Sequence, residues 1–294
     1  VVYEEQGVLF INPVVRAGGL NKHGFDFVFT TVPDNHKIGK QTAIFAFGLG
    51  YDRIAILSAR SDNANEMATS FANQAASLGM QIVSQISFFP GRDNFRDILA
   101  DLGAKQFDAV FLAADDETSR KIVRQSIEMN LKAPFLIGNY ADILELKAAF
   151  GDRSPFLVVP LMFNAYADRG DVRAFRQAYR ARFGQDADGW AALGYDAIAM
   201  LAAAMEQAKT TVPLSVASLL RYSFSWNGLT GRHSFDREGS IYTKVLDFAS
   251  LENGQIRFYS PETGVSDFVD PAQPVAGESH ASTAAPPADI PPDS

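Results

Sequence analysis

The chain has 294 residues, 47% of them hydrophobic and 20% charged, with four histidines and no cysteine. That length supports one large domain or two smaller ones with a sizeable core. The absence of Cys excludes a disulfide scaffold, a thiol nucleophile and Cys-ligated zinc or iron–sulfur chemistry. His23, His36, His233 and His280 are scattered, which argues against a His-rich metal site, and no apolar run approaches the roughly 18 residues of a membrane helix. The net charge of −8 is unevenly placed: from Pro261 onward there are six acids and no Lys or Arg, leaving 28 acids against 26 bases before it. A nearly neutral body lacks the basic footprint of a nucleic-acid binder.

In chain order, residues 8–11 read as a buried strand turned by Asn12-Pro13, and 27–32 as a second strand stopped by Pro33. Then come a helix over 37–47, a strand over 53–57, a helix over 65–78 and a strand over 81–88. Asp93 is a plausible N-cap for a helix whose Phe95, Ile98, Leu99 and Leu102 recur at helical spacing. Residues 108–112 form an uninterrupted apolar strand, as expected for one covered on both faces. A helix over 117–129 and a strand over 135–137 follow. This alternation is the signature of parallel βαβ units and a doubly wound sheet. After Val158-Val159-Pro160 the pattern changes to helices over 172–183, 190–209 and 214–222, then a hairpin over 242–259 turning at Glu252-Asn253-Gly254. Two lobes are expected rather than one sheet.

Residues 261–294 hold seven of the fourteen prolines. Almost nothing apolar is left to bury from Pro271 onward, and 261–294 is expected to be a disordered, acidic, Pro-rich tail. The opening Val1-Val2-Tyr3 is followed by no charged n-region and no long apolar h-region, so no signal peptide is read in this sequence.

Catalytic motifs are absent: no P-loop, no G-x-S-x-G and no H-E-x-x-H. Gly48-Leu49-Gly50 lies after a helix and before a strand, the wrong order for a dinucleotide fingerprint, and reads as a helix C-cap. Asp186-Ala187-Asp188-Gly189 starts like a calcium loop, but later ligand positions are Ala192 and Gly194; capping the next helix is the better reading. No metal, cofactor or enzymatic role is expected. Polar residues do gather past strand ends, where parallel α/β sheets bind ligands. They are Asn12 and Arg16, Ser61 and Asn63, Asp115 and Asp116, and Asn139 and Tyr140. Each also reads as a helix cap or solvated loop; their recurrence at four strand ends points to a small-molecule site.

The order of segments resembles the periplasmic substrate-binding proteins of branched-chain and hydrophobic amino-acid ABC importers. The likeness runs from Gly7-Val8-Leu9-Phe10-Ile11-Asn12-Pro13 and Gly24-Phe25 through Asp93-Asn94-Phe95, Leu131-Lys132-Ala133-Pro134-Phe135-Leu136 and Gly194-Tyr195-Asp196-Ala197. It ends with Gly228-Leu229-Thr230-Gly231 and Phe235-Asp236-Arg237-Glu238-Gly239, spanning about 1–260. The resemblance implies an α/β type I periplasmic-binding fold: two doubly wound lobes joined by three crossings around a ligand. Residues 1–35 and 163–232 would form the first lobe, and 36–160 with 236–260 the second. The crossings would fall near Pro33, near 160–163 and near 231–235. The first lobe would be incomplete, because residues 8–11 look like a mid-lobe strand that about three βα units, roughly 80–90 residues at about 30 per unit, should precede. Apolar surface on 8–11 and on the helix from Trp190 would then be exposed.

In that family, hydroxyls and backbone N–H groups of the first lobe hold the α-carboxylate, a second-lobe acid holds the α-ammonium, and aromatic side chains assist. The matching positions here are Arg16, Asn139, and Asn63 with Asp115. Arg16 suits a carboxylate, and Asp115 or Asp116 a cation. The resemblance thus implies a periplasmic receptor delivering an amino acid or related polar solute to an ABC permease. A non-transport envelope regulator or sensor that binds a protein partner on the same fold is the alternative.

Overall fold

Ile54, Ala55, Ile56 and Leu57 are fully buried one after another. Such a run suits only a strand covered by helices on both faces. The computed structural model describes residues 2–139, 142–261 and 264–266. The chain opens with one helical turn, α1 (Val2–Glu5), and a parallel pair, β1 (Phe10–Asn12) and β2 (Val28–Thr30). Next come α2 (Asn35–Gly48), β3 (Arg53–Ala59), α3 (Asp62–Ser77), β4 (Gln81–Phe88), α4 (Arg96–Gly103) and β5 (Ala109–Ala113). They are followed by α5 (Asp116–Glu128), β6 (Phe135–Ile137), α6 (Ile143–Phe150) and β7 (Leu157–Leu161). Helices α7 (Gly170–Phe183), α8 (Gly189–Ala208) and α9 (Pro213–Tyr222) precede a short hairpin, β8 (Trp226–Gly228) and β9 (Gly231–His233). The last strands are β10 (Asp247–Glu252), β11 (Gln255–Ser260) and β12 (Gly264–Ser266).

One mixed sheet runs in the order β12-β11-β10-β7-β6-β5-β3-β4. Strands β3 to β7 are parallel; β10 adds antiparallel to β7, and β11 and β12 extend that antiparallel edge. The strand after β3 lies on one side of it, and all later ones add on the other. The loops leaving the carboxyl ends of β3 and β5 therefore diverge, and ligands of doubly wound sheets bind in that crevice.

Buried apolar residues form separate clusters. The large one joins both faces of the sheet to α2–α6 and is centred on rings such as Phe71 and Phe111, stacked 4.1 Å apart. A smaller one gathers Phe29, Met200, Val216, Leu220, Phe224, Phe235 and Ile241, and a third holds Phe163, Val172, Ala192 and Leu229. The chain passes between the large core and the smaller ones three times: between Phe29 and Ile38, between Val159 and Phe163, and between Ile241 and Leu246. Val8 and Phe10, and Trp190, Tyr195 and Ile198 on α8, expose large apolar side chains.

Several local readings change. Asp93 does not cap α4. The helix starts at Arg96, Phe95 N donates to Gln125 Oε1 at 2.7 Å, and Asp93 pairs with Lys121 at 2.7 Å. Helix α5, packed alongside, supplies the acceptor that a local cap would have provided. The first strand begins at Phe10, because Val8 N is already bonded to Tyr3 O at 2.8 Å. Helices α1 and α6 and the β8–β9 hairpin are additional. Residues 143–150 are mostly apolar and carry no polar face to reveal a period, and three-residue strands are too short to alternate. The expected cap after α2 is present, with Leu49 closing it and Gly50 at φ +82°. Asn253 and Gly254, at φ +49° and +75°, make the turn between β10 and β11. The tail expected to be disordered from 261 instead begins with β12, whose residues 264–266 pair with β11; Tyr140 and the rest of the tail from 267 lie outside the described residues.

Candidate functional site

Asn12 ends β1 with its side chain fully employed. Its Oδ1 accepts from Val14 N at 3.1 Å and Val15 N at 2.8 Å, while Nδ2 donates to Val15 O at 2.8 Å and Thr30 Oγ1 at 3.2 Å. This folds residues 13–15 back on the β1–β2 pair and sets the base for Arg16. From there Arg16 Nη2 donates to Asn139 Oδ1 at 2.7 Å, joining loops 123 residues apart. Arg16 follows β1 and Asn139 follows β6, so this bond links the smaller part of the molecule to the carboxyl end of the large sheet. Beside it, the buried Asn35 donates from Nδ2 to Asn63 Oδ1 at 3.0 Å and Glu66 Oε2 at 3.2 Å, and Gly18 N reaches Glu66 Oε2 at 3.5 Å.

The other candidates serve their helices. Ser61 Oγ caps α3 by accepting from Ala64 N at 3.4 Å. Asp115 caps α5 with both oxygens, taking Thr118 N at 2.8 Å and Thr118 Oγ1 at 3.0 Å. Asp116 pairs with Arg120 at 2.5 Å. Asp188 caps α8 by accepting from Ala191 N at 2.7 Å, the role expected for that acidic stretch. Of the sequence candidates, then, Arg16 and Asn139 meet directly and Asn63 joins through Asn35, while Ser61, Asp115 and Asp116 are spent locally. Asn35 and Glu66 were not anticipated: Asn35 falls in the turn before the helix expected from 37 and Glu66 inside the one expected from 65, and no local signal separates them from ordinary surface positions.

A groove of about 360 Å³ opens between the start of α6, the residues after β7 and the start of α8. Its walls include Asp142, Met162, Tyr166, Arg176 and Trp190. A volume of this size accommodates a small ligand. A family model for periplasmic binding proteins matches residues 1–255. The chain belongs to that family.

Among curated members, the leucine-, isoleucine-, valine-, threonine- and alanine-binding protein of Pseudomonas aeruginosa is 24% identical over 253 residues, covering 85% of this chain and 66% of its own length. The chain thus spans just under two thirds of that periplasmic binding protein. Among solved structures, an ABC transporter substrate-binding protein of Desulfitobacterium hafniense in complex with Leu superposes with a TM-score of 0.75 at 25% identity, covering 87% of this chain and 75% of the other. A leucine-binding protein of Thermotoga maritima gives 0.75 at 23%, covering 88% and 74%. Among the described residues, no helix is long and apolar enough to cross a membrane.

The third passage of this periplasmic binding protein carries a buried polar cluster. Asp196 on α8, fully buried, accepts from Leu229 N at 2.8 Å, Thr230 N at 2.7 Å and Thr230 Oγ1 at 2.6 Å. Lys244 Nζ donates to the same Thr230 hydroxyl, and His233 Nε2 lies 4.0 Å from Asp196 Oδ2. Gln41 clamps the backbone beside the lysine, donating to Lys244 O at 3.0 Å and accepting from Leu246 N at 2.6 Å. Burial pushes Lys244 down to about 7, against the pull of Asp196 and Asp247. Burial and the neighbouring Lys244 push His233 down to about 3, so its ring is neutral.

An unfolded lysine stays protonated to about pH 10. Between about 7 and 10, therefore, the unfolded chain binds more protons than the folded one, and stability rises with pH, by up to about 1.4 kcal/mol per unit from this group. Urea unfolding from pH 7 to 9.5 should show that rise, and Lys244→Met should flatten it. A parent profile that falls over this range, or one that the variant leaves unchanged, would show that Lys244 is not charged at a cost in the folded state.

Proposed function

We propose that the protein is the extracytoplasmic, non-catalytic receptor of an ABC importer, passing a small polar or amino-acid-like solute to its permease from the periplasm. One lobe takes residues 1–35 and 163–232, the other takes 36–160 together with the last strands to 260, and the ligand sits where they meet. The observation that supports this reading is the Arg16–Asn139 bond, in which a guanidinium and a carboxamide from distant strand ends meet past the carboxyl end of a parallel strand, the position at which doubly wound sheets bind ligands. Membership of the family and the amino-acid specificities named for its relatives support it.

Titration calorimetry of the full-length protein against amino acids and small carboxylates tests it. A carboxylate-bearing solute should bind, and Arg16→Ala should weaken it by about 1.5–3 kcal/mol, the range for hydrogen bonds to charged groups. Asp115→Ala should leave affinity within twofold and cost about 1 kcal/mol of stability through the lost cap. If no solute in the panel binds the parent, the receptor reading fails. If Arg16→Ala binds as tightly as the parent, the site lies elsewhere.

A further inference from the structure

The chain crosses between the smaller clusters and the large core for the third time between Ile241 and Leu246, and Lys244 lies in the middle of that passage. It is tied to both parts of the molecule. Its Nζ donates to Thr230 Oγ1, which donates in turn to Asp196 on α8, while Gln41 on α2 holds the backbone at Lys244 O and Leu246 N. An ammonium carries three N–H groups, yet among the described residues Thr230 Oγ1 is the one hydrogen-bond acceptor that Lys244 has. The side chain is buried, so its charged form is poorly solvated where it stands, and its pKa falls to about 7. A cavity of about 70 Å³ adjoins it between the second and third passages, lined by residues 161–164, Thr230, Arg232 and Asp247. That is room for water beside the amine.

The titratable and charged groups around the lysine are few. Asp196 faces it from α8, Asp247 from the start of β10, and His233, whose ring is neutral, from β9. Arg169 lines the same cavity, donating to Leu229 O at 3.2 Å and Gly228 O at 2.9 Å and pairing with Asp171. On α2, Lys37 reaches Ile241 O at the start of the passage, with Asp34 and Asp236 beside it.

We propose that the Lys244–Thr230–Asp196 bridge is a proton-sensitive latch on the third passage: the neutral lysine holds the two parts of the molecule as they stand here, and the ammonium favours a second arrangement in which the passage shifts and water reaches the amine. A hydrated lysine keeps its proton to about pH 10. From about 7 upward the latched arrangement therefore binds fewer protons than the second one, and its share rises with pH by up to tenfold per unit. Below about 7 both bind the proton and the balance is flat.

The test needs no ligand, so its failure leaves the receptor reading untouched. The chain has no cysteine, so a pair introduced at exposed positions, Asn73→Cys on α3 and Gln207→Cys on α8, takes two dyes without competing thiols. Single-molecule energy transfer then reads the distance between the two parts, with circular dichroism checking that the chain stays folded. From pH 7 to 9.5 the population at the distance of this structure should grow at least tenfold relative to the other. Lys244→Met should hold that distance at every pH, and Lys37→Met should respond as the parent does. Should the Met variant at 244 not fold, Thr230→Val cuts the bridge but keeps the lysine; it should favour the second distance at every pH and still respond to pH. A parent whose distances do not change between pH 7 and 9.5, a response that survives in Lys244→Met, or one that disappears in Lys37→Met would each overturn the proposal.

Discussion

Replacing Asp196 with alanine should lower the free energy of unfolding by about 3–5 kcal/mol, the cost of removing one member of a buried ionic network. Asp196 is fully buried and receives three hydrogen bonds, two from backbone N–H groups of Leu229 and Thr230 that have no access to water. The Thr230 hydroxyl donates to Asp196 and accepts from Lys244, so the acid and the lysine are joined through a single oxygen. Without the carboxylate, two buried N–H groups lose their acceptor and Lys244 loses the charge that offsets its burial. Asp196→Asn keeps the shape but turns a donor towards donors, and should cost less than alanine and still more than about 1 kcal/mol. Urea unfolding at pH 7 measures both. The pairing itself is isolated by a double-mutant cycle: in a Lys244→Met background, Asp196→Ala should cost less than in the parent. Equal losses in the two backgrounds, or a loss below about 1 kcal/mol in the first, would show that the cluster does not act as a unit.

Helix α2 and helix α3 approach each other backbone to backbone at Gly39. A Cβ there would collide with the Met67 carbonyl oxygen and lie 3.0 Å from Phe71 N. Neither atom belongs to a flexible side chain, so the helices themselves must separate to admit a larger residue. Gly39→Val should therefore cost about 3 kcal/mol, the upper part of the range for overpacking, despite removing a glycine from a helix interior. Gly194, on α8, is the internal control: nothing lies within 4 Å of the point a Cβ would occupy there. Gly194→Ala should stabilise the fold by about 0.5–1 kcal/mol through helix propensity alone. Thermal and urea unfolding of the two variants should move in opposite directions. A neutral Gly39→Val would mean that the α2–α3 contact is loose.

Both sites lie in segments whose secondary structure was legible in the sequence while their partners were not. The apolar runs at 53–57, 108–112 and 135–137 announced parallel strands, and the observed strands agree within a residue or two. Burial on both faces leaves no alternation to misread, and length separates such runs from helices. Caps and turns were equally local: Asp188 before α8, Gly50 after α2, and Asn253-Gly254 between β10 and β11 each act through their own backbone neighbours.

Tertiary structure decided everything that depends on a distant partner. Asp93 and Asp115 are both acids placed before helices, yet only Asp115 caps its helix; Gln125, thirty positions along the chain from Phe95, displaced Asp93 from that role. Arg16 and Asn139 looked like two among eight polar loop residues until the topology set them 2.7 Å apart. Lys244, Asp196 and His233 carried no sign of burial, since a charged residue in a helix or connecting segment is ordinarily solvated. Periodicity records which face of an element is apolar, because burial is repeated along the chain. A single polar contact is not repeated, so its partner is set only when the strands take their order and the loops at their ends are brought together.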